Sequence, residues 1–251
     1  MALNNATVRL GKQKTVRRFA RLTLLLVAFL FNFASSSKAA LQFDVFLGYD
    51  GIVPEASWFP VVCEVRNDGP SFNAFLEISS GQFNQNQVRR VPLELPTNTR
   101  KRISVPVFSS SRSSTWNFRL VDDKDKVRAE DLNKRPRKQI AWKIPMVGAL
   151  ARSVSGVPIL PPVKPNQPEV QPSPARLQPA LFPDNAIALE GLDTLYLNSE
   201  TALELKVAQR DALLAWLNGG GHLVVSIEQI ADLGASPWLA DLLPCDLTAT
   251  A

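Results

Sequence analysis

Histidine occurs once in this 251-residue chain, at His222, and cysteine twice, at Cys63 and Cys245. One imidazole and two distant thiols cannot build an ordinary zinc cluster, and neither a CxxC nor an HExxH run occurs. The Gly-x-Ser-x-Gly turn that exposes a hydrolase serine is missing too. The first 40 residues contain no Asp or Glu, yet they hold seven of the 28 Lys and Arg residues. The remainder therefore carries 21 basic against 23 acidic side chains, a net charge of −2, although the whole chain is +5. The basic character belongs to the leader and gives no support to a nucleic-acid partner. No apolar run reaches the roughly 20 residues that a membrane-spanning helix needs.

The leader has three parts. Residues 1–21 are basic, residues 22–34 are a continuous apolar run broken only by Thr23 and Asn32, and residues 35–40 (SSSKAA) are small and polar. This is the order of a secretory signal peptide, with Ser37 and Ala39 before a cut at or just after Ala39–Ala40. The alternative is an uncleaved leader that holds the protein to the membrane. No Cys follows the apolar run, so a lipoprotein anchor is not indicated. Export would place the rest in an oxidising compartment.

Residues 41–135 read as a β-sandwich. Apolar and polar residues alternate over 43–47, 75–79 and 115–121, and further strands are expected over 58–65, 88–95 and 102–108. Polar turn signals separate them, with Arg66-Asn67-Asp68-Gly69-Pro70 the strongest. Short strands at this spacing mean two packed sheets. Trp58 fits either a core or rim position or a ligand platform. The charged run 122–138 reads as a solvated hairpin followed by a linker, and its Lys134-Arg135-Pro136-Arg137-Lys138 end could also hold a phosphate or an anionic lipid head group.

Residues 136–251 read as an α/β region. Residues 140–150 (IAWKIPMVGAL) are expected to form its first strand. The insertion 156–184 is rich in proline, which excludes helix from most of it and predicts an extended, mobile spacer. The organising unit is 192–227. Residues 194–197 (TLYL) predict a buried strand, and Thr201 with Glu204 fits a capping box. Leu203, Val207, Leu213, Leu214 and Leu217 predict the buried stripe of one helix, with Lys206, Gln209 and Arg210 mostly off it. Gly219-Gly220-Gly221 ends the helix where positive φ is needed. Residues 222–227 predict a second strand, parallel to the first. Two or three such strands make an incomplete sheet, which a partner or further chain would complete.

The residues GLDTLYLN and LLAWLNGGGHLVVS resemble the class I glutamine amidotransferase-like domain, in the degenerate form found in large bacterial envelope proteins. The resemblance runs from Ile140 onward and implies an incomplete three-layer α/β fold with a parallel sheet, of amidotransferase or flavodoxin type. The Gly-Tyr-Asp-Gly, Trp-Phe-Pro-Val and Asn-Asp-Gly progression resembles the immunoglobulin-like domain that precedes it in the same proteins. Active members of the wider superfamily carry a Cys on a G-x-C-x-G elbow and a downstream His and Glu. Neither Cys63 nor Cys245 has those glycines, so the resemblance implies a domain without chemistry.

Other residues give no chemistry either. The triple glycine follows a helix and precedes a strand, the wrong polarity for a phosphate loop. Asp193 and Glu228 fall at opposite ends of their parallel strands, too far apart for paired-carboxylate work. Cys63 and Cys245 fall in different expected domains and read as two isolated buried thiols rather than a bridge. No catalytic, cofactor-binding or metal residue is therefore assigned, and no cofactor is expected. The expected function is a non-enzymatic exported protein at the periplasm or outer face of the inner membrane. Other envelope proteins or a cell-surface glycan are its expected partners. The alternative is the N-terminal accessory part of a larger hydrolase acting on glycans or amides.

Overall fold

The computed structural model describes residues 41–80, 88–110, 115–153, 156–160 and 171–247. The leader, and the part of the proline-rich insertion over 161–170, lie outside these. The described residues from Leu41 onward pack as one compact unit.

Period-2 alternation folds the first part into two antiparallel sheets. One has the order β1-β3-β6, from β1 (Leu41–Leu47), β3 (Ser57–Asn67) and β6 (Thr99–Ser109). The other has the order β5-β4-β7-β8, from β4 (Phe72–Ser80), β5 (Val88–Leu95), β7 (Trp116–Asp122) and β8 (Val127–Lys134). This is a seven-stranded β-sandwich. The strands expected from the alternation are all present, and the charged run 122–138 supplies the β7–β8 hairpin. Between the sheets lie fully buried Phe59, Phe118 and Trp116, with Trp116 edge-on to Phe59 at 5.3 Å.

A short strand, β2 (Ile52–Pro54), pairs in parallel with β9 (Lys138–Ile140) and ties the sandwich to the chain that leaves it. Residues 140–150 therefore do not form one strand. Ile140 ends β9, and β10 (Met146–Leu150) begins only after a loop. The apolarity of the stretch is continuous because Ile140, Ala141 and all of β10 are buried, in two different elements.

The second part is a four-stranded parallel sheet of order β11-β10-β12-β13, with β11 (Ser173–Arg176), β12 (Thr194–Asn198) and β13 (His222–Ser226). Thr194 pairs with His222 and Leu197 with Val225, the parallel pairing expected from the strand–helix–strand pattern. The insertion corrects the spacer reading. Its described part adds β11 at the sheet edge, where Pro174 forfeits no central ladder bond, and a 3-10 turn, Pro179–Leu181; a second such turn, Ala186–Leu189, follows it.

The helix also differs from expectation. The chain forms α1 (Ser199–Leu203), leaves helix to bury Leu205, and restarts as α2 (Val207–Asn218). The first cap is Asn198, whose side-chain oxygen accepts from the N–H groups of Glu200 and Thr201. Asn is among the best N-cap residues, and it acts one turn before the expected Thr201–Glu204 box. The Thr201 hydroxyl instead donates to the Leu150 carbonyl at 3.2 Å. The break rephases the stripe, so that Gln209, Ala212, Leu213 and Trp216 are buried while Val207 is 62% exposed and Leu203 is exposed. At the helix end Gly220 has φ +102°. The Gly221 and Gly220 N–H groups bond the Trp216 and Leu217 carbonyls, which completes a Schellman cap. Two short helices follow β13, α3 (Ile230–Ala235) and α4 (Pro237–Ala240).

One hydrophobic cluster runs through both parts, from Val45 and Phe59 in the sandwich to Leu195, Leu213 and Leu239 beyond it. The two parts approach closely at Gly191, where an added Cβ would lie 2.6 Å from Pro54 and 2.8 Å from the Trp58 carbonyl oxygen. Beside it the buried Tyr49 hydroxyl donates to the Ala188 carbonyl at 2.7 Å. Among the described residues no helix is long and apolar enough to cross a membrane.

Candidate functional site

Alternation sends Val45, Leu47, Val61 and Cys63 into the sandwich and Phe46, Val62, Glu64 and Arg102 to the outer face of the β1-β3-β6 sheet. Such a face is ordinarily wet. Here Val62 and Glu64 are nearly covered, because the chain after β11 lies across them. Gln209 fixes that roof. Its amide nitrogen donates to the Pro179 and Phe182 carbonyls at 2.8 and 2.7 Å, while its oxygen accepts from the Lys206 N–H at the start of α2. Arg102 donates to the Ala180 carbonyl from below. Floor, roof and the 134–137 turn enclose a cleft of about 610 Å³. That volume is within the range of small-molecule sites.

The cleft is cationic. Arg100, Arg102, Lys134, Arg135, Arg137 and Arg176 line it against only Asp44, Asp50 and Glu64. Glu64 sits under two guanidinium groups, with Arg100 Nε at 2.9 Å and Arg102 Nε at 2.6 Å. Burial pushes its carboxyl up, but the hydrogen bonds and charge of Arg100 and Arg102 outweigh that and hold it below the ordinary value. It therefore stays ionised and neutralises only one of the two arginines. Arg137 pairs with Asp50 at 3.0 Å, and Lys134 pairs with Asp131. Arg135 is exposed and makes no ion pair among the described residues. The Arg176 Nε is buried without a hydrogen-bond partner.

A second polar concentration lies at the carboxyl ends of the parallel strands, where open α/β sheets usually place ligands. Ser199 is fully buried there. Its hydroxyl donates to Asp232 at 2.5 Å and accepts from the Glu228 N–H at 3.0 Å. Asn198 donates to Glu228 at 2.7 Å, and Arg152 pairs with Glu200 at 3.0 Å. Ser199, Asn198, Asp232 and Glu228 bond one another, while the Glu200 Oε2 is buried with an ion-pair contact to Arg152 but no hydrogen bond.

A third feature is a groove of about 380 Å³ at one end of the sandwich. Half-buried Trp58 meets Phe108 edge-on at 5.5 Å along its side, and Phe108 is 46% exposed. Trp58 is thus a rim aromatic.

The remaining residues singled out in the sequence are scattered. Asp193 accepts from the Met146 N–H at 2.6 Å at one end of the sheet, and Glu228 sits at the other. His222 is exposed, with Nδ1 3.2 Å from the Asp193 carbonyl oxygen. Cys63 is buried, and desolvation pushes its thiol up to about 12. Cys245 is exposed, which corrects the expectation of two buried thiols. Among the described residues no three His, Cys, Asp or Glu side chains gather as metal ligands would. Of the basic run, Lys134, Arg135 and Arg137 line the cleft, whereas Lys138 turns to Ser173 at 3.1 Å. Glu64, Arg100, Arg102 and Arg176 were missed. The signal for the first three was an acid and two bases on outward positions of neighbouring strands, and Arg176 gave none.

Residues 40–140 match a family described as a domain of unknown function, DUF8726. The match covers the sandwich and ends on the last residue of β9. No curated protein matches the chain. Among solved structures it is similar to the CARDB domain of a Pyrococcus furiosus protein, at 11% identity over 38% of this chain and 81% of that one, with a TM-score of 0.28. It is similar also to a Niemann-Pick type C2 protein from the Japanese carpenter ant, at 10% identity over 38% and 90%, with a TM-score of 0.27. A Paenibacillus cycloisomaltooligosaccharide glucanotransferase is similar at 10% identity over 74% of this chain and 28% of that one, with a TM-score of 0.28.

Proposed function

We propose that this chain is a non-catalytic exported protein of the bacterial cell envelope, binding or assembling other components at the membrane periphery. Its parallel-sheet part is, on this reading, a degenerate three-layer amidotransferase-like module. The observation that carries the reading is the burial of Ser199 and its bonding to Asp232 and Glu228 at the carboxyl edge of that sheet. A nucleophilic serine needs a free lone pair directed at substrate and a base to take its proton. Ser199 is fully buried, so neither lone pair of its oxygen is open to a substrate; one of them accepts from the Glu228 N–H, the hydroxyl proton is directed at Asp232, and the imidazole of His222 is at the far end of the strands. The test is glutamine hydrolysis by the purified full chain, together with protease digestion of intact spheroplasts. We expect no ammonia above background and digestion from outside. Ammonia release that Ser199→Ala abolishes, or protection from protease, overturns the proposal.

The Trp58–Phe108 groove favours a second reading, in which the bound component is a surface glycan, since sugar rings stack on exposed aromatic faces. Phe108→Ala should then remove glycan-array signals shown by the unaltered protein. Equal signals from both would discard the groove as the sugar site.

A further inference from the structure

We propose that the cleft between the outer face of the β1-β3-β6 sheet and the 176–183 segment binds a single phosphomonoester amphiphile, with the phosphate held by Arg176 and Arg135 and the apolar body lying along Phe46 and Leu181. The proposal rests on the non-catalytic reading and names the ligand class for it.

Three observations carry it. The first is charge. Six cations face three carboxylates in the cleft, whereas residues 41–251 are net negative. A positive cleft with low-dielectric walls on a negative body focuses its field on an anion. The second is unused donor capacity. Arg176 lines the cleft, is partly exposed and makes no ion pair among the described residues, so its guanidinium keeps donor capacity for an anion. A guanidinium fork matches the paired oxygens of phosphate. Arg135 adds a second cation free of ion pairing, while Arg100 and Arg102 are held by Glu64 and serve the floor. The third is the rest of the lining. Beside Pro60, Val62, Leu177 and Phe182, which the fold already buries, Phe46 on the floor is 41% exposed and Leu181 on the roof is partly exposed, which leaves an apolar strip open to the cleft. A bare inorganic anion would leave that surface wet, whereas an anion with a hydrocarbon body covers it.

The experiment titrates the full chain with dihexanoyl phosphatidic acid, dihexanoyl phosphatidylcholine and inorganic phosphate, by calorimetry and by phosphorus NMR. We expect saturable binding of the phosphatidic acid and at least about tenfold weaker binding of the other two, the loss of one charge-assisted contact being worth that much. Arg176→Gln should weaken phosphatidic acid by about tenfold, and Arg135→Gln by less. Phe46→Ser should weaken it without changing the response to inorganic phosphate. Both Arg135 and Phe46 are exposed, so their variants remain informative if Arg176→Gln does not fold. Equal affinity for phosphatidylcholine, or affinities unchanged in all three variants, overturns the site. Equal affinity for inorganic phosphate overturns the amphiphile. Release of inorganic phosphate from the ligand would defeat the non-catalytic reading and leave the anion site standing. An intact, unshifted phosphatidic acid resonance would defeat the site and leave that reading untouched.

Discussion

The sandwich and the parallel sheet bury their residues in different ways. In the sandwich, β3 and β6 are each 11 residues long and pair along their whole length, and alternate side chains enter the core. In the parallel sheet the strands are four or five residues long. Only β10 is buried throughout, while the edge strand β13 keeps Val224 exposed. A long antiparallel ladder brings its own register, whereas a short parallel strand depends on what lies against its faces. The second part therefore borrows burial from the first. Its roof segment covers Val62 and Glu64, and its core residues join the cluster around Phe59.

The largest test of that dependence is Trp116→Ala set against Leu195→Ala. Both side chains are almost fully buried in one continuous cluster. Removing the tryptophan should cost about 3–5 kcal/mol and the leucine about 2–5 kcal/mol. If the cluster is shared, each variant lowers the same single unfolding transition, read by urea titration with fluorescence and circular dichroism. Two transitions, with each variant moving only one, would separate the parts. Gly191→Ala acts at the seam itself. Its methyl would press on the Pro54 ring and the Trp58 carbonyl. Overpacking of this kind costs about 1–3 kcal/mol, and thermal denaturation should show a lower Tm with the sandwich β signal retained before the transition.

The contrast also explains what could be read in advance. The sandwich strands were legible because residues such as Trp116, Phe118 and Leu120 alternate with polar neighbours, and one buried face writes itself into the sequence with period 2. The β12–β13 pairing was legible because TLYL and HLVVS flank a helix and a glycine stop. Apolar character alone could not divide 140–150, since Ile140 and Met146 are both buried, one beside β2 and the other beside β11. The helix phase failed because Leu205 is drawn out of helix into the core, a tertiary effect that periodicity cannot register. In the described part of the insertion proline content excluded α-helix, but an edge strand tolerates Pro174 and a sheet face welcomes Phe182. The cleft was invisible as a unit because its cations come from three separate stretches, although Lys134, Arg135 and Arg137 stood out as a basic run.

The smallest expected effect sharpens the comparison at the place where one part covers the other. Glu64 is buried under the roof, while its partners Arg100 and Arg102 remain partly exposed. Their exposure screens the pair, so Glu64→Gln should cost only about 1 kcal/mol at neutral pH. The carboxyl is held below its ordinary value of 4.5 in the folded protein. A group lowered on folding contributes its full stability above the unfolded value and loses it as pH falls through the folded one. The Tm gap between the unaltered protein and the variant should therefore be constant from pH 7 to about pH 5, then close as the pH drops below 4.5. A gap that persists at pH 3 would mean that the glutamine disturbs packing rather than charge. A gap that widens on acidification would mean that Glu64 is raised, and that the roof segment, not the two arginines, sets its state.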